Sequence, residues 1–350
     1  MRLRVGLIGL GDAWKTRYRP ALKLLHDRFD VRAIYTNVPW LAAHAATDFQ
    51  AQLADGYRSL IQRSDIDAVL ILEPCWQGWL PMLAACDQGK AIYWAADLNF
   101  EAQQSREVKS KVDASGVAFM AEFPRRFAPA TLRLKELIAT RLGQPKLIFC
   151  HQRMPNAGDS KRTPAQRNGV PQAAANSDRE ILESIDWCRY VVGRDPVDVY
   201  AREHRSGERV DYRSLSMGFQ ATESAPAVTA QLSVGTYIPT QWHEAIHFRA
   251  PSAMQICCEN GVAFIDLPSS LVWFDEAGRH LESLDSEMSV GEQLLTQFHR
   301  AVTSLVRKMG DLEDAWRASQ VLHAGRLSLE TQATIKLTLD GNECQLAPKL

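Results

Sequence analysis

The residues near the start of the chain that are best suited to chemistry form the segment Gly9-Leu10-Gly11-Asp12-Ala13-Trp14, between a β-rich run and a helical pattern. The first glycine of such a loop permits a tight turn, and the second lets the backbone approach a pyrophosphate. The start of the following helix offers unpaired N–H groups and a positive dipole end. Trp14 takes the third position, where glycine or alanine usually allows close helix–strand packing. The loop predicts a dinucleotide site made of Gly9, Gly11, Asp12, Ala13 and Trp14, or a loop that kept its shape and lost its ligand.

The second predicted strand ends at Tyr35-Thr36-Asn37, without the acidic residue that binds the ribose hydroxyls of NAD. Because no carboxylate repels a 2′-phosphate there, Thr36 and Asn37 are free to hydrogen-bond one, although no arginine adjoins them. We therefore favour NADP over NAD if either binds, and the absence of any cofactor stays open. The end of the third buried run, Leu72-Glu73-Pro74, completes the predicted cofactor-binding set.

Composition excludes several classes of protein. The 350 residues are 46% hydrophobic and 23% charged with a net charge of -1, which argues for a well-buried core and against disorder. No basic block points to nucleic acid, and no apolar run approaches the ~18 residues that span a membrane. Seven cysteines without a CxxC pair indicate free thiols. With no signal peptide after Met1, we predict a cytoplasmic protein.

Strand and helix patterns alternate over residues 1–123, which predicts an α/β fold with a doubly wound parallel sheet. The run from Ala68 to Leu72 is continuously apolar, as is typical of a strand buried on both faces. The predicted strands are 4–10, 31–35, 68–72, 90–94 and 117–122, and the predicted helices are 15–26, 39–54, 57–64, 79–88 and 100–115.

Residues 124–350 have a different pattern, which predicts a second, α+β domain with an open, mostly antiparallel sheet. A long loop is expected over 155–176, and a helix over 178–192 that ends at Gly193. The other predicted helices are 129–141, 290–309 and 312–335, and the predicted strands are 146–153, 197–204, 214–222, 227–236, 244–250, 253–259 and 262–267.

The order and spacing of short motifs resemble the Gfo/Idh/MocA family of oxidoreductases over nearly the whole chain. The motifs are Arg4-Val5-Gly6-Leu7-Ile8-Gly9-Leu10-Gly11, Asp65-Ile66-Asp67-Ala68-Val69, Glu73-Pro74, Gly89-Lys90, Gly116-Val117, Arg126-Phe127-Ala128-Pro129, Asp186-Trp187-Cys188-Arg189-Tyr190, Gly193, Asn260-Gly261-Val262 and Glu292-Gln293-Leu294. The resemblance implies an N-terminal Rossmann domain, a nicotinamide cofactor and a sugar, polyol or related hydroxy compound as substrate. It also implies a homodimer or homotetramer that assembles through the C-terminal sheet.

The chain departs from that family where the family does its chemistry. The lysine of the family's Glu-Lys-Pro motif falls on Ala96 within Ala95-Ala96-Asp97, and the catalytic histidine falls on Glu183. That histidine belongs to a second family motif, in which an aspartate lies four residues earlier, and the aspartate falls on Arg179. Of this second motif, only Asp186 is kept in type. The resemblance thus implies a non-standard acid/base set of Glu183, Asp186 and Asp97. The alternatives are an inactive nucleotide- or carbohydrate-binding or regulatory protein, or a structural subunit, and Arg179 and Glu183 could simply pair across one helical turn.

Aromatic and basic residues complete the candidate site. Four tryptophans follow predicted strands, where ligands of open α/β sheets bind, and they predict an aromatic cleft or else interface packing; they are Trp14, Trp76, Trp79 and Trp94. The substrate contacts that we expect are Trp94, His151, Arg153 and Arg179, with His243 and His247 on the same domain. No third ligand accompanies the two paired histidines, so no metal site is predicted.

Overall fold

A computed structural model describes residues 1–73, 77–95, 102–155, 166–167, 170–238, 242, 244, 252–285, 287–304, 311–338 and 344–346. The chain divides into two compact units. The first is Met1–Pro124 with Met288–Trp316, and the second is Arg125–Glu287 with Arg317–Leu350. The segment that begins at Met288 therefore belongs to the first unit, whereas the sequence patterns assign it to the second domain.

The first unit holds a six-stranded sheet in the order β3-β2-β1-β4-β5-β6, with every pair parallel. Because the order reverses between β1 and β4, this is the doubly wound architecture that the alternation predicts. The strands are β1 (Leu3–Ile8), β2 (Phe29–Tyr35), β3 (Gln52–Leu53), β4 (Ala68–Ile71), β5 (Ala91–Trp94) and β6 (Phe119–Ala121). The helices are α1 (Arg19–Leu24), α2 (Pro39–Phe49), α3 (Tyr57–Ile61), α4 (Leu80–Asp87), α5 (Ala102–Ser115) and, from the later segment, α8 (Val290–Thr303).

The helices cover both faces of this sheet, and side chains of β5 pack against the helices on each face. Ile92 and Trp94 lie in the core beneath α3, α4 and α5. Tyr93 points to the other face, where its ring meets Tyr18 and Phe298 edge to face. Because successive side chains of a strand point to opposite faces, a continuously apolar strand is expected in a sheet whose two faces are both covered by helices.

The first helix differs from its prediction. Residues Trp14–Tyr18 form a π-helical turn, and α1 begins only at Arg19. Pro20 lacks the N–H that would bond back to an earlier carbonyl, and its ring crowds the preceding turn. The predicted helix over 15–26 is thus one π-helical turn followed by a short α-helix.

The second unit holds a ten-stranded sheet in the order β16-β15-β14-β13-β7-β12-β11-β10-β17-β18. The pair of β7 and β12 is parallel and the other pairs are antiparallel, which confirms the mostly antiparallel sheet. A separate hairpin pairs β8 with β9. The strands are β7 (Pro145–Pro155), β8 (Gln166–Arg167), β9 (Val170–Pro171), β10 (Asp198–Ser206), β11 (Arg209–Phe219), β12 (Val228–Ile238), β13 (Met254–Cys258), β14 (Val262–Asp266), β15 (Ser270–Asp275), β16 (Gly278–Ser283), β17 (Ile335–Leu337) and β18 (Cys344–Leu346).

Helices cover one face of this sheet. They are α6 (Pro129–Leu137), α7 (Gln172–Val192) and most of α9 (Asp311–Thr331). Along β7, Ile148 and Cys150 are buried in the core that these helices share with the sheet. The alternate residues of β7 point to the opposite face.

Several predicted boundaries in this unit are wrong. Helix α7 begins at Gln172, inside the expected loop, because Ala173-Ala174-Ala175 is a strong helix-forming run. The hairpin of β15 and β16 was not predicted, since β16 is mostly exposed and lacks an apolar run. Of the strand expected at 244–250, only Glu244 is described.

Among the described residues, no helix combines the length and the apolar character that crossing a membrane requires.

Candidate functional site

The glycine loop of the first unit has the backbone shape that a dinucleotide site needs. Gly9 and Gly11 have φ angles of +63° and +58°. A Cβ atom on Gly9 would lie 1.8 Å from the carbonyl oxygen of Glu73, so no other residue fits there. The Gly9 amide donates to the Tyr35 carbonyl over 2.8 Å. The loop is thereby fixed between the ends of β2 and β4, at the point where the strand order reverses.

The amides of this loop are available to an anion. Within the described part of the chain, the N–H groups of Gly11, Asp12 and Ala13 have no acceptor. The Trp14 amide turns back to the Gly11 carbonyl over 3.3 Å. Consecutive unpaired amides at the start of a helix form a concave site for phosphate oxygens. The residues present therefore fit the pyrophosphate of a dinucleotide.

Trp14 does not block this loop. Its side chain is 2% exposed and packs against Phe49, with 5.9 Å between the ring centroids. The indole is directed toward the end of α2, which it helps to bury. The departure from glycine or alanine at this position is accommodated by packing between the π-helical turn and α2.

The end of β2 carries hydrogen-bonding groups and no acid. The Tyr35 hydroxyl donates to Oδ1 of Asn37 over 2.9 Å, and Gln77 Nε2 donates to the same hydroxyl over 3.0 Å. Thr36 is half-buried and Asn37 is exposed. These side chains therefore lie at the same carboxyl edge of the sheet as the glycine loop.

The third predicted cofactor segment is described in part. Leu72 is buried, and Glu73 packs under both glycines of the loop. Pro74 lies outside the described residues, as do Ala96 and Asp97. The structure brings Gly9–Trp14, Thr36, Asn37, Leu72 and Glu73 together at one edge of the first sheet.

Among the described tryptophans of the expected aromatic cleft, Trp14 and Trp94 are buried by packing within the first unit. Trp94 is fully buried in the core of the first unit, because it lies on the same face of β5 as Ile92. Its place in the core corrects the expectation of a substrate contact. Trp79 is partly buried against the same core, while Trp76, His243 and His247 lie outside the described residues.

A buried carboxylate that the sequence analysis missed lies just after β6. Glu122 is 1% exposed and accepts hydrogen bonds from Arg17 and from the Tyr18 hydroxyl. Burial raises the pKa of Tyr18 well above its usual value, and the Glu122 charge adds to the effect. The acid ties the turn after the glycine loop to the last strand of the sheet. An acidic residue directly after a buried strand was the only signal for it.

In the second unit, Glu183 lies between two guanidinium groups on the buried face of α7. Its carboxylate is 3.3 Å from Arg125 Nε and 3.2 Å from Arg179 Nε. Arg125 is itself buried and also binds Glu180 and Ser184. The pairing of Arg179 with Glu183, one alternative at the sequence level, is present, and Arg125 is the partner that the sequence did not reveal.

Asp186 has a different environment from Glu183. Its side chain is 1% exposed, and Arg126 binds both carboxylate oxygens, with Nε 2.6 Å from Oδ2. Arg189 approaches Oδ1 to 3.9 Å. A carboxylate so enclosed holds α7 to the segment before α6. It is placed to position the helix and has no exposed edge for a substrate.

His151 and Arg153 lie on the face of β7 that points away from α7. His151 Nδ1 is 2.7 Å from Ser233 Oγ, and Nε2 is 3.3 Å from the Tyr237 hydroxyl. Burial lowers the pKa of His151, and the Arg153 charge lowers it further. Between them, Gln152 points to α7 and donates to Glu180 over 3.2 Å. The structure therefore separates the predicted substrate residues of β7 from those of α7 by the thickness of the sheet.

Within the described ranges, no three His, Cys, Asp or Glu side chains come together as metal ligands would.

No family model matches the chain. The inositol 2-dehydrogenase of Klebsiella pneumoniae (strain 342) is 24% identical over 277 residues, which are 77% of this chain and 76% of that protein. The uncharacterized oxidoreductase YrbE of Bacillus subtilis (strain 168) is 23% identical over 202 residues. That alignment spans 56% of each protein, little more than half of YrbE.

Solved structures agree over almost the whole chain. An NAD binding oxidoreductase from Klebsiella pneumoniae has a TM-score of 0.77 at 17% identity, covering 96% of this chain and 99% of that one. Levoglucosan dehydrogenase, in a complex with NADH and levoglucosan, has a TM-score of 0.75 at 18% identity with the same coverage. At these identities the likeness shows the fold, which is the one that the sequence predicts.

Proposed function

We propose that this chain, which is a Gfo/Idh/MocA-type oxidoreductase by sequence and fold, is an NAD(P)-dependent enzyme that acts on a sugar, polyol or related hydroxy compound. The observation that carries the proposal is the glycine loop. Gly9 has no room for a side chain, and three successive amides have no acceptor within the described residues. The similarity to an inositol 2-dehydrogenase supports the substrate class.

Different residues of the cofactor-binding set bind different parts of the dinucleotide. The amides of Gly11, Asp12 and Ala13 bind the pyrophosphate, and Thr36 and Asn37 bind the adenine-side ribose. Leu72 and Glu73 form the wall beside the loop, and we assign Pro74, the next residue in the sequence, to the same binding set. When bound, a nicotinamide cofactor supplies the acceptor or donor of a hydride.

The acid/base chemistry is assigned to two carboxylates, one at the position of the family's histidine and one next to the position of its lysine. Oxidation of an alcohol needs a base for the hydroxyl proton. We assign that role to the Glu183 carboxylate, with Asp97 as a second candidate. Arg125 and Arg179 fix the orientation of Glu183 through the ion pairs described above. Asp186 contributes by positioning α7 through Arg126.

His151 and Arg153 are assigned to substrate hydroxyls on the other face of β7. The lowered pKa of His151 keeps its imidazole neutral near pH 7, so the ring can both donate and accept hydrogen bonds. Because the sheet lies between these residues and Glu183, we expect them to bind a distal part of the substrate or a second ligand. They are not expected to act on the reacting hydroxyl.

We also propose that the chain forms a homodimer or homotetramer through the face of the second sheet opposite α7. Apolar side chains are exposed or half-buried on one half of that face, and a patch of this kind marks an interaction site. They are Leu147, Phe264, Val272, Phe274 and Leu281. Light scattering coupled to size-exclusion chromatography measures the assembly. The described free cysteines fit a reducing, cytoplasmic compartment.

The proposal is tested by two measurements on the purified protein. Calorimetry with NADP and with NAD measures cofactor affinity, and nicotinamide absorbance follows turnover across polyols and aldoses. Binding together with turnover supports the oxidoreductase. Binding without turnover on any substrate favours the inactive binding protein. In that case Ala96→Lys combined with Glu183→His would create turnover in a site that has only been vacated.

A further inference from the structure

A cavity in the first unit lies between the π-helical turn and α2, and Trp40 in its wall is three positions after Asn37 in the sequence. Its volume is about 650 Å³. Both helical segments contribute charged or aromatic side chains to its wall, chiefly Trp14, Lys15, Arg19, Trp40, His44 and Asp48. Ligand pockets generally combine apolar and aromatic surface with a small number of polar or charged groups, and this cavity has both.

Lys15 carries the unbalanced charge of this cavity. Its Nζ lies 5.8 Å from the centre of the Trp40 ring, and it has no carboxylate partner within the described part of the chain. Asp48, at the other end of the cavity, is bound by Arg19 at 2.6 Å and by Lys23 at 3.0 Å. Hydrogen bonds from these two cations lower the pKa of Asp48 to about 2. The acid is thus already neutralised, and the charge of Lys15 is not.

Trp40 contacts Lys15 and is close in the sequence to the segment that is assigned to the ribose. It is the second residue of α2 and follows Asn37 by three positions, and it is 57% exposed. No acidic residue lies in the first turn of α2. Contact with an aromatic face also restricts the lysine side chain, which reduces the entropy lost when the lysine binds an anion.

We propose that Lys15, held above Trp40, binds the 2′-phosphate of NADP and makes NADP the preferred cofactor. The inference rests on the proposed binding of a nicotinamide dinucleotide at the glycine loop. The sequence lacks an arginine beside Thr36 and Asn37, and the fold supplies a lysine from the turn after the loop instead. The phosphate would be held between the ammonium group of Lys15 and the polar side chains at the end of β2.

The test uses calorimetry with two fragments that lack nicotinamide, adenosine 2′,5′-bisphosphate and adenosine 5′-monophosphate. Lys15→Met should weaken binding of the bisphosphate about tenfold, because a charge-assisted hydrogen bond is lost, and leave the monophosphate unchanged. Lys15→Arg should retain the preference. Lys111→Met is the matched control, because it removes an equal charge from α5, away from the cavity, and should change neither affinity. The preference should also shrink as salt is raised.

Two failures are distinguishable. If both fragments, NADP and NAD all fail to bind, the proposed function falls and the inference falls with it. If nucleotides bind but Lys15→Met weakens both fragments equally, or neither, the inference alone is overturned. Equal affinity of the unmodified protein for the two fragments would overturn it as well. Lys15 is exposed, so the variant is expected to fold, and its circular dichroism checks this.

Discussion

The glycine loop of the first unit and the charged cluster on α7 of the second unit are two ways to build a site. In the loop, backbone amides offer the contacts, so the chain tolerates Trp14 where a small residue is usual. On α7, the side chains themselves carry the charge, so we expect Arg179 and Glu183 to determine the chemistry of the proposed site. Backbone amides keep their positions when a side chain is substituted, so a site made of amides keeps its contacts. A site made of side chains changes its chemistry with each substitution.

The largest effect is expected where the second unit depends on one buried charge. Asp186→Asn leaves Arg126 without its carboxylate, and breaking a buried ion pair costs about 3–5 kcal/mol of unfolding free energy. Urea denaturation measures the change. Glu136→Gln is the control, because its pair with Arg133 is exposed and contributes less than about 1 kcal/mol. Equal losses in the two variants would show that the α7 cluster does not depend on burial.

The next effect separates a base from an ordinary ion-pair partner. Glu183→Gln should lower turnover by at least about a hundredfold, the usual contribution of a general base, while cofactor affinity stays within about twofold. Glu180→Gln is matched to it, because Glu180 lies one turn earlier and also binds Arg125. Steady-state rates and calorimetry are the measurements. Similar rates for the two variants would remove Glu183 from the mechanism.

A smaller effect on stability is expected from the backbone site. Gly9→Ala places a Cβ against the Glu73 carbonyl at a positive φ angle and should cost about 2–3 kcal/mol and abolish nucleotide binding. Gly116→Ala has the same φ of +63° with nothing within 4 Å of the added atom. It should cost only about 1 kcal/mol and leave binding intact. Thermal unfolding and calorimetry compare the two, and matching losses would contradict the close approach at Gly9.

The smallest effect concerns His151. Its pKa is lowered in the folded protein, so below the usual value of about 6.5 the unfolded chain binds the proton more readily. The stability linked to His151 is therefore complete above that pH and falls as the pH drops toward the lowered pKa. Unfolding free energies from about pH 5 to 8 should depend less on pH in His151→Asn. An unchanged pH dependence would mean that the ring is not desolvated.

Local patterns predicted much of the first unit. The run Ala68–Leu72 and the glycine loop carry their signals within a few residues, and both are where the sequence predicts them. The pairing of Arg125 with Glu183 joins residues 58 positions apart, and no local pattern encodes it. Lys15 and Trp40 meet for the same reason. Trp94 was misread because a strand's last residue and a cleft residue look alike before the facing layer is known.

The segment that contains Met288 shows the same limit on a larger scale. Order along the chain places α8 with the second domain, but its apolar face packs in the first unit. Phe298 on α8 is fully buried and meets the Tyr93 ring at 5.5 Å. A helical pattern predicts that a face will be buried, but it does not say against which sheet.

The π-helical turn at Trp14–Tyr18 also changes the direction in which the following side chains point around the helix axis. Its Tyr18 amide reaches back five residues to the Ala13 carbonyl, over 3.3 Å, which is equivalent to one residue inserted into an α-helix. Each residue of a helix turns the chain by about 100°. Without the insertion, Tyr18 and the α1 helix that follows it would be rotated away from Tyr93 and Glu122. The inserted residue therefore lets one turn pack in two directions, with Trp14 against α2 and Tyr18 against the sheet.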